Sequence, residues 1–394
     1  MKPSILVCGT GLVGLAAAVG LARAGLSVTL LGPRRDLPVF GPDTYCPRVY
    51  AISAASRSLL QELGVWGALD ARRIVPVQAM DIAGDASGRV ALDAWQGARD
   101  ELAWILESTA LERVLQHAVP MVGVTWVNES FESLRAGQVR TSAGHVFTPD
   151  LLVGADGAAS PVRTAAGISH SARPYGYSGV VTHLNCSLPH QGTAFQWFTG
   201  DAVLALLPMP DTAQGPQVSM VWSMPQSRAQ ELMALPPEAR AAWLEPGLRA
   251  VTEGCLGELS VRSGVHAFPL SLERSGMALP GVALVGDAAH RVHPLAGQGL
   301  NLGLGDVQAL IDCVAGRQSW RSPGDERVMA RYRRARAEPV MRMALATDAL
   351  HRLFMIDAPP VVMARNLGMA CVNRLPFVKR LLIQGAAGSG LLRP

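Results

Sequence analysis

With 394 residues, 49% of them hydrophobic and 17% charged, the chain can bury a large core and exceeds most single domains, which argues for two associated domains and against a disordered protein. The formal net charge of +4 comes from arginines scattered along the sequence, Lys2 and Lys379 being the only lysines, so no basic stripe marks a nucleic-acid surface. Six cysteines, at 8, 46, 186, 255, 313 and 371, form no CxxC pair and no metal-ligand spacing, a pattern that fits a reducing cytoplasm and no metal site.

The first predicted strand is Ile5-Leu6-Val7-Cys8, followed by Gly9-x-Gly11-x-x-Gly14 and an Ala- and Leu-rich helix from Leu15 to Ala24. Gly9 permits a tight turn, Gly11 lets a pyrophosphate approach the backbone, and Gly14 lets helix and strand pack closely, while the helix start offers free N–H groups. Glycines that serve only to pack a buried turn leave the same trace, so this signal is weak alone. Ile5 to Ala22 is uncharged and long enough to mimic a signal peptide or a membrane span. The glycines at 9, 11, 14 and 20 and the next strand, Val28-Thr29-Leu30-Leu31, fit a βαβ unit instead. In such units an Asp or Glu after the second strand holds the adenosine ribose. Here Gly32 takes that place, with Arg34, Arg35 and Asp36 just beyond, and Gly32→Glu is expected to tighten nucleotide binding.

A second turn, Gly154-Ala155-Asp156-Gly157-Ala158-Ala159-Ser160-Pro161-Val162-Arg163, follows the apolar strand Leu151-Leu152-Val153 and reads by itself as a polar turn. From about Tyr175 to Phe268 the pattern changes to short runs, Val180 to Leu184, Ala194 to Phe198, Val203 to Leu207 and Val218 to Trp222, punctuated by Gly, Pro and Asp. That predicts an antiparallel sheet. Arg228 to Val251 predicts a helix across one face of it, interrupted at Pro236-Pro237 and at Pro246-Gly247.

The third turn follows Val282-Ala283-Leu284-Val285 and is the most specific: Gly286-Asp287-Ala288-Ala289-His290, then His293-Pro294, then Gly297-Gln298-Gly299-Leu300-Asn301-Leu302-Gly303-Leu304-Gly305-Asp306. No carboxylate or cysteine stands at ligand spacing beside His290 and His293, which are read as polar loop residues. Ser319 to Asp325 is a polar connection. Pro359-Pro360 predicts a fresh helix through Val361 to Val372, a second covers Phe377 to Ile383, and Gly385 to Gly390 ends in a loose tail.

Three turns with one grammar of strand, Gly/Asp turn and helix, in this order, give the chain its identity. It resembles the class A FAD-dependent aromatic hydroxylases, and within them the hydroxylases of ubiquinone biosynthesis, over essentially its whole length. Further segments carry the resemblance: Arg48-Val49-Tyr50-Ala51-Ile52-Ser53 with Leu63-Gly64-Val65-Trp66, Ala205-Leu206-Leu207-Pro208, Val221-Trp222-Ser223 and Arg365-Asn366-Leu367-Gly368.

The resemblance implies an α/β fold, with a Rossmann-like FAD-binding domain from residues 1–72, 101–174 and 271–340. An antiparallel-sheet substrate domain from 73–100 and 175–270 is inserted into it, as in the aromatic hydroxylase fold, and 341–394 form a C-terminal helical region. It implies FAD as cofactor, NADPH or NADH as electron donor, O2 as co-substrate, and hydroxylation of a lipophilic polyprenylated phenol through a flavin hydroperoxide. Carried over by position, Gly9, Gly11, Leu12, Val13 and Gly14 bind FAD and Arg48 reaches its pyrophosphate. Asp156 and Gly157 lie near the flavin and pyridine-nucleotide pyrophosphates, with Arg163 holding their turn. Gly286 and Asp287 take the ribityl chain, for which the alternative is Asp287 as a helix cap. Gly299, Leu300 and Asn301 face the pyrimidine end, where a helix start stabilises the negative charge of reduced flavin. Pro294, Gly297, Gln298 and Gly299 line the reacting site. Ser108 stands where many relatives carry a longer amide. His183, Tyr177 and Tyr175 are candidates for a phenol-deprotonating base, although polar residues on half-buried strands are more often structural; Tyr177 replaces a frequent Gln.

Two other readings keep parts of the pattern: a flavin hydroxylase of a soluble aromatic compound, and a flavin-poor accessory subunit of a quinone-synthesis complex, for which Gly32 is the main support. A flavin halogenase is disfavoured because the chain has no Trp-x-Trp-x-Ile-Pro. The leading reading expects a cytoplasmic protein that either meets the inner face of the cytoplasmic membrane or receives substrate within such a complex. Phe377, Val378, Leu381, Leu382 and Ile383, with Lys379 and Arg380, are the expected contact, and an ordinary packing helix is the alternative.

Overall fold

In the computed structural model, residues 3–292 and 297–387 are described. Ser4–Cys8 lies in the middle of a six-stranded sheet, paired in parallel with Ser27–Leu31 on one side and Leu151–Gly154 on the other. Thr125–Val127 extends the first side and Val282–Leu284 the second, both in parallel, and Ala278–Leu279 closes that edge in antiparallel fashion. Both faces of the central strands are covered, so Val7, Leu30 and Leu152 are buried and the runs are apolar throughout instead of alternating. Cys8 pairs with Gly154, and Gly154 with Leu284. The three strands that precede the three glycine turns are therefore neighbours, and the turns leave the sheet side by side at its carboxyl edge, where open α/β sheets bind ligands.

The second sheet has nine strands, dominated by the 17-residue strand His170–Cys186, which pairs with Gly215–Pro225 on one side and His266–Ser275 on the other. Val203–Thr212 and Thr193–Phe198 follow, and Ala79–Ala83 and Arg89–Asp93 complete the far edge. The expected boundaries at 174/175, 270/271 and 340/341 fall inside His170–Cys186, His266–Ser275 and the helix Glu326–Phe354. The ladder from His170 and Ser275 to Val181 and His266 runs through the junction with a register shift between Pro174 and Ser178.

Strand alternation gives this sheet two faces. Val180, Leu184, Leu204, Leu206, Met220 and Trp222 form one core with Leu232, Leu244 and Leu248 of the helices Gln226–Ala234 and Ala239–Thr252. The break expected at Pro246-Gly247 does not occur; Ala239–Thr252 runs straight through it. A Cβ on Gly247 would sit 2.9 Å from the Trp222 ring, so the glycine lets the helix lie against that indole, and burial outweighs the propensity penalty. On the opposite face, Ala194, Leu207 and Met209 pack against Tyr45, Val49, Ala51 and Val77. These belong to the segment around Val49–Ile52, Val75–Val77 and Ala103–Glu107, a small three-stranded sheet between the two large ones.

Helices Pro359–Arg374 and Pro376–Ala386 both begin on proline, as expected for the first of them. Ile383 is 3% exposed among Val90 and Leu92, and Lys379 is buried too, so these two residues do not face outward as the membrane reading required. Helix continues to Ala386, past the expected start of the tail at Gly385, and residues 388–390 lie outside the described ones.

Candidate flavin site

The Gly9 turn is closed by backbone contacts that leave no room for side chains. A Cβ on Gly9, whose φ is +116°, would fall 2.2 Å from Ala155 O, and one on Gly14 would fall 2.0 Å from Gly9 O. Gly11, by contrast, faces open space and precedes the helix Leu12–Arg23 with no side-chain cap and no acid in the first turn. Its N–H groups remain available for an anion. Leu12 is buried, and Val13 packs where Gly286 and Gly303 lack side chains, so these two can offer only backbone. A cleft of about 320 Å³ runs past Gly9, Gly11, Gly32, Arg35, Asp156 and Gly157.

Asp156 is committed locally. Its Oδ1 accepts from Ser160 Oγ at 2.5 Å and its Oδ2 from Val162 N at 2.9 Å, which ties it to the start of the helix Pro161–Ala165. Burial raises its pKa against these hydrogen bonds. Arg163, almost fully buried, donates to Ala158 O and to Ala288 O, joining the second turn to the third.

The third turn rests on a buried ion network whose far end carries no local sequence signal. Asp306 accepts from Gly286 N at 2.9 Å and His290 Nε2 at 2.7 Å through Oδ2, and from Arg336 Nε at 2.6 Å through Oδ1. Burial pushes the Asp306 carboxyl up, and His290, Arg336 and the Gly286 N–H overcome this to hold it below the usual carboxylate range. Arg336 also donates to Leu302 O, and Tyr332 of the same helix donates to Leu284 O. The turn carrying Asp287 is thus fixed from beneath. Asp287 itself is half-exposed, 3.9 Å from Arg291 Nε, and makes no side-chain cap of its turn. It lies close enough to the Tyr50 phenol to raise its pKa, while burial is the larger cause and Arg48 opposes both.

Arg48 stacks over the Tyr50 ring, 5.0 Å from its centre, and its carbonyl accepts from Ser108 N. Ser108 Oγ lies 3.4 Å from Cys46 Sγ and begins a helix, Ser108–Met121. Glu107, which sequence reading missed, is buried, accepts from Cys46 N at 2.5 Å and pairs with Arg73 at 2.6 Å. Across the site Gly297 has φ +63° and starts the helix Gln298–Ala315 beside Ala51. Asn301 spends its side chain on Ser53 N at 3.0 Å and Ala51 O at 2.8 Å, leaving only its backbone for a cofactor. Gln298 lies 3.4 Å from the Asn301 amide, Gly299 is open, and Leu300 is buried. Pro294 lies outside the described residues.

On the inner face of the second sheet, His183 Nε2 donates to Cys46 O at 2.8 Å, which fixes the tautomer and leaves Nδ1 as a buried acceptor without a partner among the described residues. Burial lowers its pKa, so the ring is neutral at pH 7. Tyr177 donates to Met355 Sδ at 2.9 Å and stacks edge-on to His351, as Tyr175 does. Burial raises both phenols, which stay protonated at neutral pH and are no bases there. Val181, Val221 and Ala205 pair across three strands and are partly open, between buried residues above and below.

Gly32 is not an open position for a carboxylate. Its φ is +148°, a Cβ there would lie 2.8 Å from Thr10 Cγ2, and its carbonyl accepts from Trp126 Nε1. This strain argues against the expectation that Gly32→Glu tightens nucleotide binding.

The family model described as an FAD binding domain matches residues 2–347. The 3-demethoxyubiquinol 3-hydroxylase of Escherichia coli (strain K12) is 33% identical over 393 residues, covering 98% of both chains. Ubiquinone hydroxylase UbiL of Rhodospirillum rubrum is 32% identical over 400 residues, 99% of this chain and 90% of that one. The chain belongs to the FAD-dependent hydroxylases of ubiquinone biosynthesis. PqsL of Pseudomonas aeruginosa in complex with 2-aminobenzoylacetate shares the hydroxylase fold at a TM-score of 0.71 and 22% identity, over 93% of this chain and 99% of that one. So does 2-methyl-3-hydroxypyridine-5-carboxylic acid oxygenase, at 0.68 and 19%, over 92% and 95%. The family's cofactor is FAD, and the residues fit it: an uncapped helix start, open space at Gly11, and Arg48 near Asp287 around Tyr50.

Proposed function

We propose that this chain hydroxylates the aromatic ring of a polyprenylated phenol in ubiquinone biosynthesis, with O2 as co-substrate and NADH or NADPH as electron donor. The observation that carries the substrate class is the inner face of the second sheet. Its Val181, Val221 and Ala205 form an apolar patch on the side of Ala51, and the flanking positions Gly179, His183, Leu207, Ser219 and Ser223 bring no formal charge. The two charges that act on His183 are engaged elsewhere, Arg262 with Asp43 O, Asn185 and Thr212, and Glu107 with Arg73. An aromatic acid would need a cation here, whereas a neutral ring with an apolar tail needs none.

When bound, FAD supplies the redox chemistry that activates O2 for transfer to the ring. The chain's residues position and dry the reaction. Gly11 and the helix start behind it take the pyrophosphate, with Arg48 opposite, and Asp287 takes ribityl hydroxyls. The start of Gln298–Ala315, from Gly297 through Gln298, Gly299 and Leu300 to the backbone of Asn301, lies at the pyrimidine end. Asp156 acts through its turn, which presents Gly157. The patch excludes water around the substrate ring, and His183 Nδ1, beside Ser219 on the neighbouring strand, accepts the phenol proton.

The substrate's tail brings in the bilayer. No helix among the described residues is long and apolar enough to cross a membrane. The C-terminal helices expose Met341, Leu345, Met363, Leu367, Phe377 and Leu382. Of the basic residues in 341–387, Arg365 and Lys379 are buried, Arg365 against Asp85, while Arg342, Arg352, Arg374 and Arg380 are exposed, the first two paired with Glu338 and Asp348. An exposed apolar surface in a cationic region suits an anionic lipid surface. The same surface would serve a quinone-synthesis complex if a partner subunit took the bilayer's place.

Analysis of lipid extracts tests the function. A strain lacking the protein should accumulate a polyprenylated intermediate short of one ring hydroxyl, and the wild-type gene should clear it. An unchanged quinone profile would rule the reading out.

A further inference from the structure

The adenosine ribose of FAD requires hydrogen-bond acceptors, and the position that usually supplies them holds Gly32, where the backbone excludes a side chain. Asp36 is exposed, while Asp156 has both oxygens engaged. Another acid stands nearby. The helix Ser108–Met121 lies alongside the segment that follows Gly32: Arg113 donates to Pro38 O at 2.7 Å, and Gln116 donates to Arg35 O at 3.3 Å. One turn before Gln116, on the same side of the helix, is Glu112.

Glu112 Oε1 is buried and has no hydrogen-bond donor among the described residues. The neighbouring charges acting on this carboxylate are Arg35, which lines the cleft, and Arg48; burial, the larger influence, drives its pKa up against both. The Tyr50 phenol senses Glu112 together with Arg48 and Asp287, so the acid belongs to the same polar channel. A buried carboxylate oxygen without a donor is costly and calls for one from the ligand. Pyrophosphate has only acceptors to offer; the donors of the dinucleotide are its sugar hydroxyls and base N–H groups, and of these the adenosine ribose is the one whose usual acid is missing beside Gly32. Asp287 already serves the ribityl side, and Arg35 places Glu112 toward the Gly32 end.

We infer that Glu112 is the adenosine-ribose acceptor of this chain, supplied from the helix Ser108–Met121 in place of the missing acid after Leu31. The inference rests on the proposed FAD site. Its test is equilibrium flavin-fluorescence titration of the apoprotein, as wild type, Glu112→Ala and Glu112→Gln, with FAD, FMN and an FAD analogue lacking the adenosine 2′-hydroxyl. Glu112→Ala should weaken FAD about ten- to a hundredfold, Glu112→Gln less, and neither should change FMN. The analogue should bind the wild type more weakly than FAD does, yet bind Glu112→Ala equally well. If Glu112 is only a counter-charge for Arg35 and Arg48, its removal leaves FAD affinity unchanged or raises it, because one negative charge near the pyrophosphate is gone; either result overturns the proposal. Equal losses for FMN and FAD also overturn it, by making Glu112 a scaffold residue. A wild type that binds no FAD at all overturns the site reading beneath it. Glu112→Gln preserves the side chain's volume and keeps the test available if the alanine variant does not fold.

Discussion

The two large sheets are built by different means. In the parallel sheet, neighbouring turns are fastened by charged or polar side chains from distant parts of the chain: Asp306 with Arg336 under Gly286, Arg163 between the second and third turns, Asn301 against Ala51 and Ser53. In the substrate sheet the core beneath the two helices is mainly aliphatic and aromatic, and the inner face sets its apolar patch among the buried but uncharged His183, Ser219 and Ser223. A cofactor with fixed charges needs backbone groups held within fractions of an ångström, which hydrogen bonds of defined direction achieve. A flexible lipophilic substrate needs shape and dryness, which alternation and packing supply. Loss of one polar fastener should therefore cost stability and cofactor together, whereas changes to the substrate side or the surface should separate the two.

The largest effect is expected at Asp306. Replacing it by Asn removes the partner of a buried Arg336, a type of change that costs about 3–5 kcal/mol. Denaturant unfolding of the apoprotein should show a loss of that size, and the FAD dissociation constant should rise because Gly286 loses its anchor. A variant as stable as wild type would show that the network is not a fastener. The pH dependence has a definite sign. The Asp306 pKa is lowered on folding, so its contribution is complete above the unfolded value of about 3.9 and is lost only as pH falls through the lower folded value. The stability gap between wild type and Asp306→Asn should hold from neutral pH to about pH 5 and close below about pH 4.

This contrast also explains what the sequence made legible. The first two glycine turns combine strand, turn and helix start within about a dozen residues, whereas after Val282–Leu284 a short turn and the strand His290–Arg291 intervene before the helix at Gln298; the cofactor fold was nonetheless legible locally from the three turns. The fasteners were not. Arg336 meets Asp306 from another helix, Glu107 meets Cys46 across 61 positions, and Glu112 sits in an ordinary amphipathic pattern. Ala79–Ala83 joins the sheet only by pairing with Thr193–Phe198, more than a hundred residues away. An isolated buried Asp within the Gly- and Leu-rich segment up to Asp306 was the one available hint of the network.

Gly32→Glu sharpens the comparison from the opposite direction, since it adds a polar group to the rigid sheet. Sequence logic expects tighter FAD. The structure predicts weaker binding and a stability loss of about 1–3 kcal/mol, from a side chain held at φ +148° and pressed on Thr10, whose hydroxyl donates to Pro33 O at 2.8 Å. Thermal unfolding with and without FAD measures both parts, and a variant that gains affinity would show that the loop adapts.

The smallest effect on folding should come from the C-terminal surface, and there the membrane reading can be isolated. Removing the whole segment from Phe377 cannot do this, because it also takes away Ile383, which is packed on Val90 and Leu92, and the Ala387 carbonyl that accepts from Ala55 N. Ile383→Ala alone should cost about 2–4 kcal/mol. Phe377, by contrast, is 71% exposed and Met363 is 64% exposed, so Phe377→Ser with Met363→Ser should change stability by no more than about 0.5 kcal/mol each. If this surface enters the interface of an anionic bilayer, each side chain contributes about 1.5–3 kcal/mol of burial there, and the double variant should lose most co-sedimentation with phosphatidylglycerol vesicles. Wild-type binding should also fall with added salt and be weak on phosphatidylcholine, reflecting the excess of arginine over acid in 341–387. FAD content should not move. A double variant that sediments as wild type does would remove the membrane from this surface and leave a partner subunit as its occupant.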